Sequence, residues 1–222
     1  MGVDLNFLLS QSILIPIIVA LLRIKKIGKI YYPVLALFLI GFLTELASLY
    51  CIKYFKTNAP VIKIYSLVEC CIVLYQLYLW KNSARYARMF MSLAFVCIAF
   101  WVVEVIVFKN IHTFSPYFRV FYAFVIILLC ITQINSMMFY QNVSLLKNPV
   151  FIVCLAFIIF FLYQIILEAS YYVSADVQSP VANKIIMGFS YINFLINLVY
   201  AAGVYFMGGN KDDPYSQYFI GR

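Results

Sequence analysis

The sequence predicts an all-α, polytopic membrane protein with seven transmembrane helices, and three observations carry that prediction. Of 222 residues, 66% are hydrophobic and only 11% are charged, whereas soluble domains carry about 25% charged residues. Mean hydropathy is +0.98. The apolar residues fall in seven runs of about 20 residues, the length at which a helix crosses a hydrocarbon core of ~30 Å. These runs lack the period-two alternation of barrel strands. The composition also excludes a disordered chain. The surplus of 16 Lys+Arg over 8 Asp+Glu lies in loops rather than on a soluble face, which excludes a nucleic-acid partner.

Taken in order, the spans are predicted at 5–22, 32–52, 61–80, 87–108, 117–140, 149–173 and 183–207. The N-terminal segment MGVDLNFLLSQSILIPIIVALL has neither a basic n-region nor a small-residue cleavage site, so it is expected to remain as the first helix. Pro16 lies inside this span and is expected to kink it. Pro33, Pro149 and Pro180 stand at or just before helix starts, where a missing N–H costs little. Residues 1–207 then form a single domain, and 208–222 a short polar cytoplasmic tail. Counting Lys and Arg on alternate sides puts ten with the C-terminus and six on the other side. Cytoplasmic loops carry the excess, so the N-terminus is expected outside and the C-terminus in the cytoplasm, in a cell inner membrane. Tyr31, Tyr32, Trp80, Tyr140 and Tyr205 are expected to form an inner aromatic belt, and Tyr50, Tyr54, Tyr117, Tyr171 and Tyr172 an outer one. The six cysteines lie in or beside apolar runs and read as small apolar fillers.

Four acids fall within spans: Glu45, Glu69, Glu104 and Glu168. They stand seven, eight, four and five residues from the outer ends of their predicted helices, or about 6 to 12 Å deep at ~1.5 Å rise per residue. An ionisable group near the bilayer centre costs about 2.5 to 3.5 kcal/mol, so Glu45 and Glu69 are expected to face the interior. Tyr65 shares a face with Glu69, Thr44 and Ser48 flank Glu45, and Gln164 shares a face with Glu168. Ser190, Asn193 and Asn197 make a stripe on the last helix. Arg119 and Lys63 are the cations best placed to pair with the carboxylates. Together these residues are expected to form an outward-facing acidic ligand pocket. The alternative for Glu104 and Glu168 is pairing or snorkelling at the interface. For Glu45, Glu69 and the Asn stripe it is interhelical hydrogen bonding.

The residue inventory argues against an enzyme. His112, the single histidine, falls in a loop, so no buried serine has a base, and no catalytic residue, metal site or cofactor is expected. Asp212 and Asp213 read as a solvated pair in the tail. Asn142-Val143-Ser144 matches the glycosylation pattern in a predicted cytoplasmic loop, a chance match. A retinal pigment would need a lysine in the middle of the last helix, and Lys184 stands at its rim.

TELASLY on the second helix, IYSLVE on the third and LLKNPVF opening the sixth, in a tryptophan-poor chain of this length, resemble a group of small seven-helix bacterial inner-membrane proteins without assigned activity. The resemblance implies a seven-helix fold and, through an association with sensor kinases, a role in signalling. Glu45, Tyr65 and Glu69 match its polar helix residues. The expected function is therefore a non-enzymatic sensory or partner-binding membrane protein. Arg23, Lys25, Lys26, Lys29, Arg85 and Arg88 are expected to contact a membrane signalling protein, a larger membrane complex or anionic lipid of the bilayer. The rivals are a small proton- or cation-coupled transporter and a structural subunit of a larger complex. A carrier would need a polar route through the inner half, where Gln76, Thr132, Gln133, Asn135 and Ser136 are the candidates.

Overall fold

The computed structural model describes residues 9, 11–81, 84–107, 115–140, 145–174 and 180–208. Among them are seven α-helices and no strand: α1 Leu14–Arg23, α2 Tyr32–Phe55, α3 Ala59–Lys81, α4 Ala84–Val102, α5 Tyr117–Tyr140, α6 Pro149–Ser174 and α7 Pro180–Phe206. Six, α2 to α7, are long and apolar enough to cross a membrane. Leu22, Leu43, Phe95, Ile106, Phe124 and Leu195 are exposed on their outer faces. So large an apolar surface is not tolerated in water, and the chain is a multi-pass membrane protein. Of the predicted first span, residues 5–8 and 10 lie outside the described residues, as do residues 1–4 before it. So do Asn82, His112, the Asn142-Val143-Ser144 pattern, the tail from residue 209, and the side chains of Arg85, Tyr140, Tyr171 and Tyr172.

Local chemistry sets the helix ends. Pro33 stands in the first turn of α2, and α6 and α7 begin on Pro149 and Pro180. Pro16 lies in the first turn of α1, behind a 3-10 turn at Gln11–Ile13. There its missing N–H leaves no hydrogen bond of α1 broken. Lys56, in the left-handed region with φ 61°, ends α2 and turns the chain into α3. Asn148 Oδ1 accepts from the N–H groups of Val150 and Phe151 and caps α6. The α2 start is held from a distance, since Gln76 Oε1 accepts from Val34 N at 3.1 Å while Gln76 Nε2 donates to Ile30 O at 2.9 Å. Gln76 is therefore a backbone clamp, and both ends of its amide are in use.

Helix neighbours define a ring, α1–α2–α3–α5–α6–α7 and back to α1, with α4 outside it against α3 and α5. Among the described side chains of α4, only Phe90 and Cys97 are buried hydrophobics. Beyond it the chain forms a single π-helical turn, Val103–Val107. The six cysteines are free thiols. Cys70 meets Cys97 across α3 and α4, and Cys130 meets Cys154 across α5 and α6. The expected inner belt is corrected at two positions: Tyr31 and Trp80 are buried, with ring centroids 6.5 Å apart. The Lys29–Tyr31 turn folds under the α3 end, so these rings pack the core instead of facing lipid.

Candidate functional site

A cavity of about 340 Å³ lies in one half of the bundle, at the end that holds the α2–α3 connection. Helical periodicity builds it. Phe38, Gly41, Glu45 and Ser48 come from one face of α2, Tyr65 and Glu69 from α3, and Arg119 from the first turn of α5. Phe157, Phe160 and Phe161 come from α6, and Phe189, Asn193, Asn197 and Tyr200 from α7. Spacings of three and four residues put each set on one side of its helix. Gly41 permits the close approach of the Gln11–Ile13 turn, since a Cβ there would stand 2.9 Å from Ile13 Cδ1 and 3.3 Å from Tyr65 Oη.

The buried Glu69 is held at both oxygens. Tyr65 Oη donates to Oε1 at 3.1 Å, and Tyr122 Oη donates to Oε2 at 2.5 Å. Gln164 Nε2 in turn donates to Tyr122 Oη at 3.0 Å, so the chain of hydrogen bonds joins α3, α5 and α6. Arg119 Nη1 lies 2.5 Å from Oε1 of Glu168, whose side chain is 0% exposed. The Arg119 charge also acts on Glu69. Glu45 is half-buried on the cavity wall, and its Oε2 has no hydrogen-bond partner among the described residues. Thr44 beside it donates its hydroxyl to Ile40 O at 2.8 Å.

The expected pocket residues separate into three groups. Glu45, Tyr65, Glu69, Arg119, Asn193 and Asn197 line the cavity together. Gln164 and Glu168 stand behind it, one fixing Tyr122 and the other paired to Arg119. Glu104 does not belong to it. Its Oε1 accepts from Ser115 Oγ and its Oε2 from Phe118 N, both at 2.5 Å, so it caps the α5 N-terminus from the π-helical turn after α4. A carboxylate there meets the unpaired N–H groups of a helix start, which explains its burial. Lys63 is buried and feels the charge of Glu104. Asn197 lines the cavity and also donates to Ser12 Oγ at 2.7 Å, tying α7 to the N-terminal turn. Ser190, the third member of the expected stripe, is not on the cavity wall.

Sequence reasoning missed the aromatic wall and Tyr122. The signal for Tyr122 was present, because it follows Arg119 by three residues and shares its face. The phenylalanines carry no such signal, since an apolar ring on a membrane helix faces lipid, core or cavity with equal local logic. Of the expected inner contacts, Lys25, Lys26, Lys29 and Arg88 are exposed. Arg23 differs: it is half-buried, and its guanidinium lies over the Tyr205 ring, 4.2 Å from the centroid.

Fold and site together define a small, all-helical, multi-pass membrane protein with a carboxylate-bearing cavity at one end. Comparisons with protein-family models, curated proteins and solved structures find no match to this chain.

Proposed function

We propose that the chain is a non-enzymatic membrane sensor or partner-binding protein of the bacterial inner membrane. In this reading residues 5–22 complete a seventh span, the N-terminus is outside, and the cavity opens outward. The observation that carries the proposal is the contrast between the two halves of the bundle. Beyond Phe157, Phe161 and Tyr200 on the cavity wall, the core toward the other end is mainly apolar, with Val34, Val73, Leu77, Cys130, Val153 and Val204 beside the buried amides of Gln76 and Gln133. Of the polar residues a route would need, Gln76 is spent on backbone, while Thr132 and Asn135 are exposed on the outer side of α5. A cavity that ends on a mainly apolar plug suits occupancy better than passage. The exposed basic residues Lys25, Lys26, Lys29 and Arg88 then face the cytoplasm, where anionic lipid or a signalling partner would read them.

The carrier reading retains one observation, the buried Gln133 whose Oε1 has no hydrogen-bond partner among the described residues. Reconstituted vesicles separate the two. Proton and cation flux is expected at background for both wild type and Glu69→Gln. Robust wild-type flux that Glu69→Gln abolishes would establish a carrier instead.

A further inference from the structure

We propose that the cavity takes a small organic ammonium ion with an apolar body, its N–H groups donating to Glu45 and its body lying on the aromatic wall. The proposal rests on the cavity being a ligand site, and it adds the chemical class.

Three observations lead to it. The first is charge. Glu45 and Glu69 line the cavity and Glu168 stands behind it, against Arg119 as the single cation on the wall among the described residues. Arg119 is already engaged by Glu168 at 2.5 Å, so an anion entering the cavity would have to compete with a buried carboxylate for it. The second is valence. Both oxygens of Glu69 are occupied by tyrosine hydroxyls, whereas Oε2 of Glu45 has no donor among the described residues. A buried acceptor without a partner is costly, and a ligand N–H would satisfy it. The third is the wall. Phe38, Phe157, Phe160, Phe161, Phe189 and Tyr200 surround the space, and ring faces attract cations as well as apolar surface. A volume of about 340 Å³ lies at the lower end of the range of small-molecule sites. That restricts the ligand to a compact amine.

Three shape-matched probes test the class on the full-length protein in detergent or nanodiscs: 2-phenylethylammonium, 2-phenylethanol and 3-phenylpropionate. Binding is read as a rise in thermal midpoint with concentration and as Kd by calorimetry. The ammonium is expected to bind best. Glu45→Gln is expected to weaken it about tenfold, the loss of one charged contact, while Glu45→Asp keeps the preference for the ammonium. Phe189→Leu, which thins the wall and leaves the charges alone, is expected to weaken all three probes. Equal or stronger binding of the alcohol or the carboxylate would overturn the ammonium class and leave the ligand-site reading intact. Unchanged ammonium affinity in Glu45→Gln, or no response to any probe up to about 10 mM, where even a millimolar ligand registers, would also overturn it. Uptake of bound 2-phenylethylammonium into vesicles would support the ligand class and overturn the sensory reading.

Discussion

Replacing Arg119 by Met would leave the fully buried Glu168 carboxylate facing a helix-lined interior without its cation. Removing one partner of such a pair costs about 3 to 5 kcal/mol, whereas replacing both by apolar residues is close to neutral. The double variant Arg119→Met/Glu168→Met is therefore expected to unfold at a higher temperature in detergent than either single one. Equal midpoints for all three would show that the pair contributes little. Tyr122→Phe removes the donor to Glu69 and the acceptor of Gln164 at once. It is expected to cost about 1 to 3 kcal/mol, the penalty for buried groups left without partners. At this scale the sequence was informative about which residues are polar inside a span, and less so about whom they meet. Arg119 and Lys63 were expected to pair with the carboxylates without a choice among the four, and the 2.5 Å contact of Arg119 is Glu168 on α6. Partner choice depends on which helices are neighbours, and no local periodicity encodes that.

Gly41 sets how closely the N-terminal turn and α3 approach α2. In Gly41→Ala the new Cβ presses on the tip of Ile13, which can swing aside, and on Tyr65 Oη, whose position is fixed by its bond to Glu69. The expected outcome is a stability loss of about 1 kcal/mol, one hydrogen bond, with weaker binding at the cavity. An unchanged midpoint and Kd would mean that α2 shifts as a body. Gln76→Leu removes the clamp that holds Val34 N and Ile30 O, so the α2 start is expected to exchange amide hydrogens faster while the cavity end stays protected. The limits of two helices were readable almost to the residue, whereas the second, fourth and seventh spans differ by three residues or more at one end or both. The fifth span, expected at 117–140, is observed as Tyr117–Tyr140, and the sixth, expected at 149–173, runs one residue further. Length, charge and proline all act locally, which is why they suffice there. Gln76 reads in sequence as a polar residue in the inner half, and only the fold reveals that its amide serves the backbone of another helix.

For the whole molecule, the expected outside N-terminus puts Asn58 and Lys147 on opposite faces. With single cysteines introduced at these two positions, an impermeant thiol reagent applied to intact cells is expected to label Asn58→Cys and spare Lys147→Cys. The reverse pattern would invert the bundle and turn the cavity toward the cytoplasm. The ring order was not legible in the sequence, because seven apolar runs of similar length carry no statement of adjacency. It nonetheless sets a schedule for biosynthesis. α5 takes the place between α3 and α6, so α4, made earlier, must yield that place to a helix made later. The donors that satisfy Glu104 belong to Ser115 and Phe118, and these leave the ribosome after it. Until they arrive, the nascent chain holds an acidic group at the edge of the bilayer with only the charge of Lys63, made earlier on α3, to offset it and with both oxygens lacking these donors, at a cost that disfavours settling alone. α4 and α5 should accordingly enter the membrane as one hairpin, and a nascent chain stalled between them should remain at the insertion machinery.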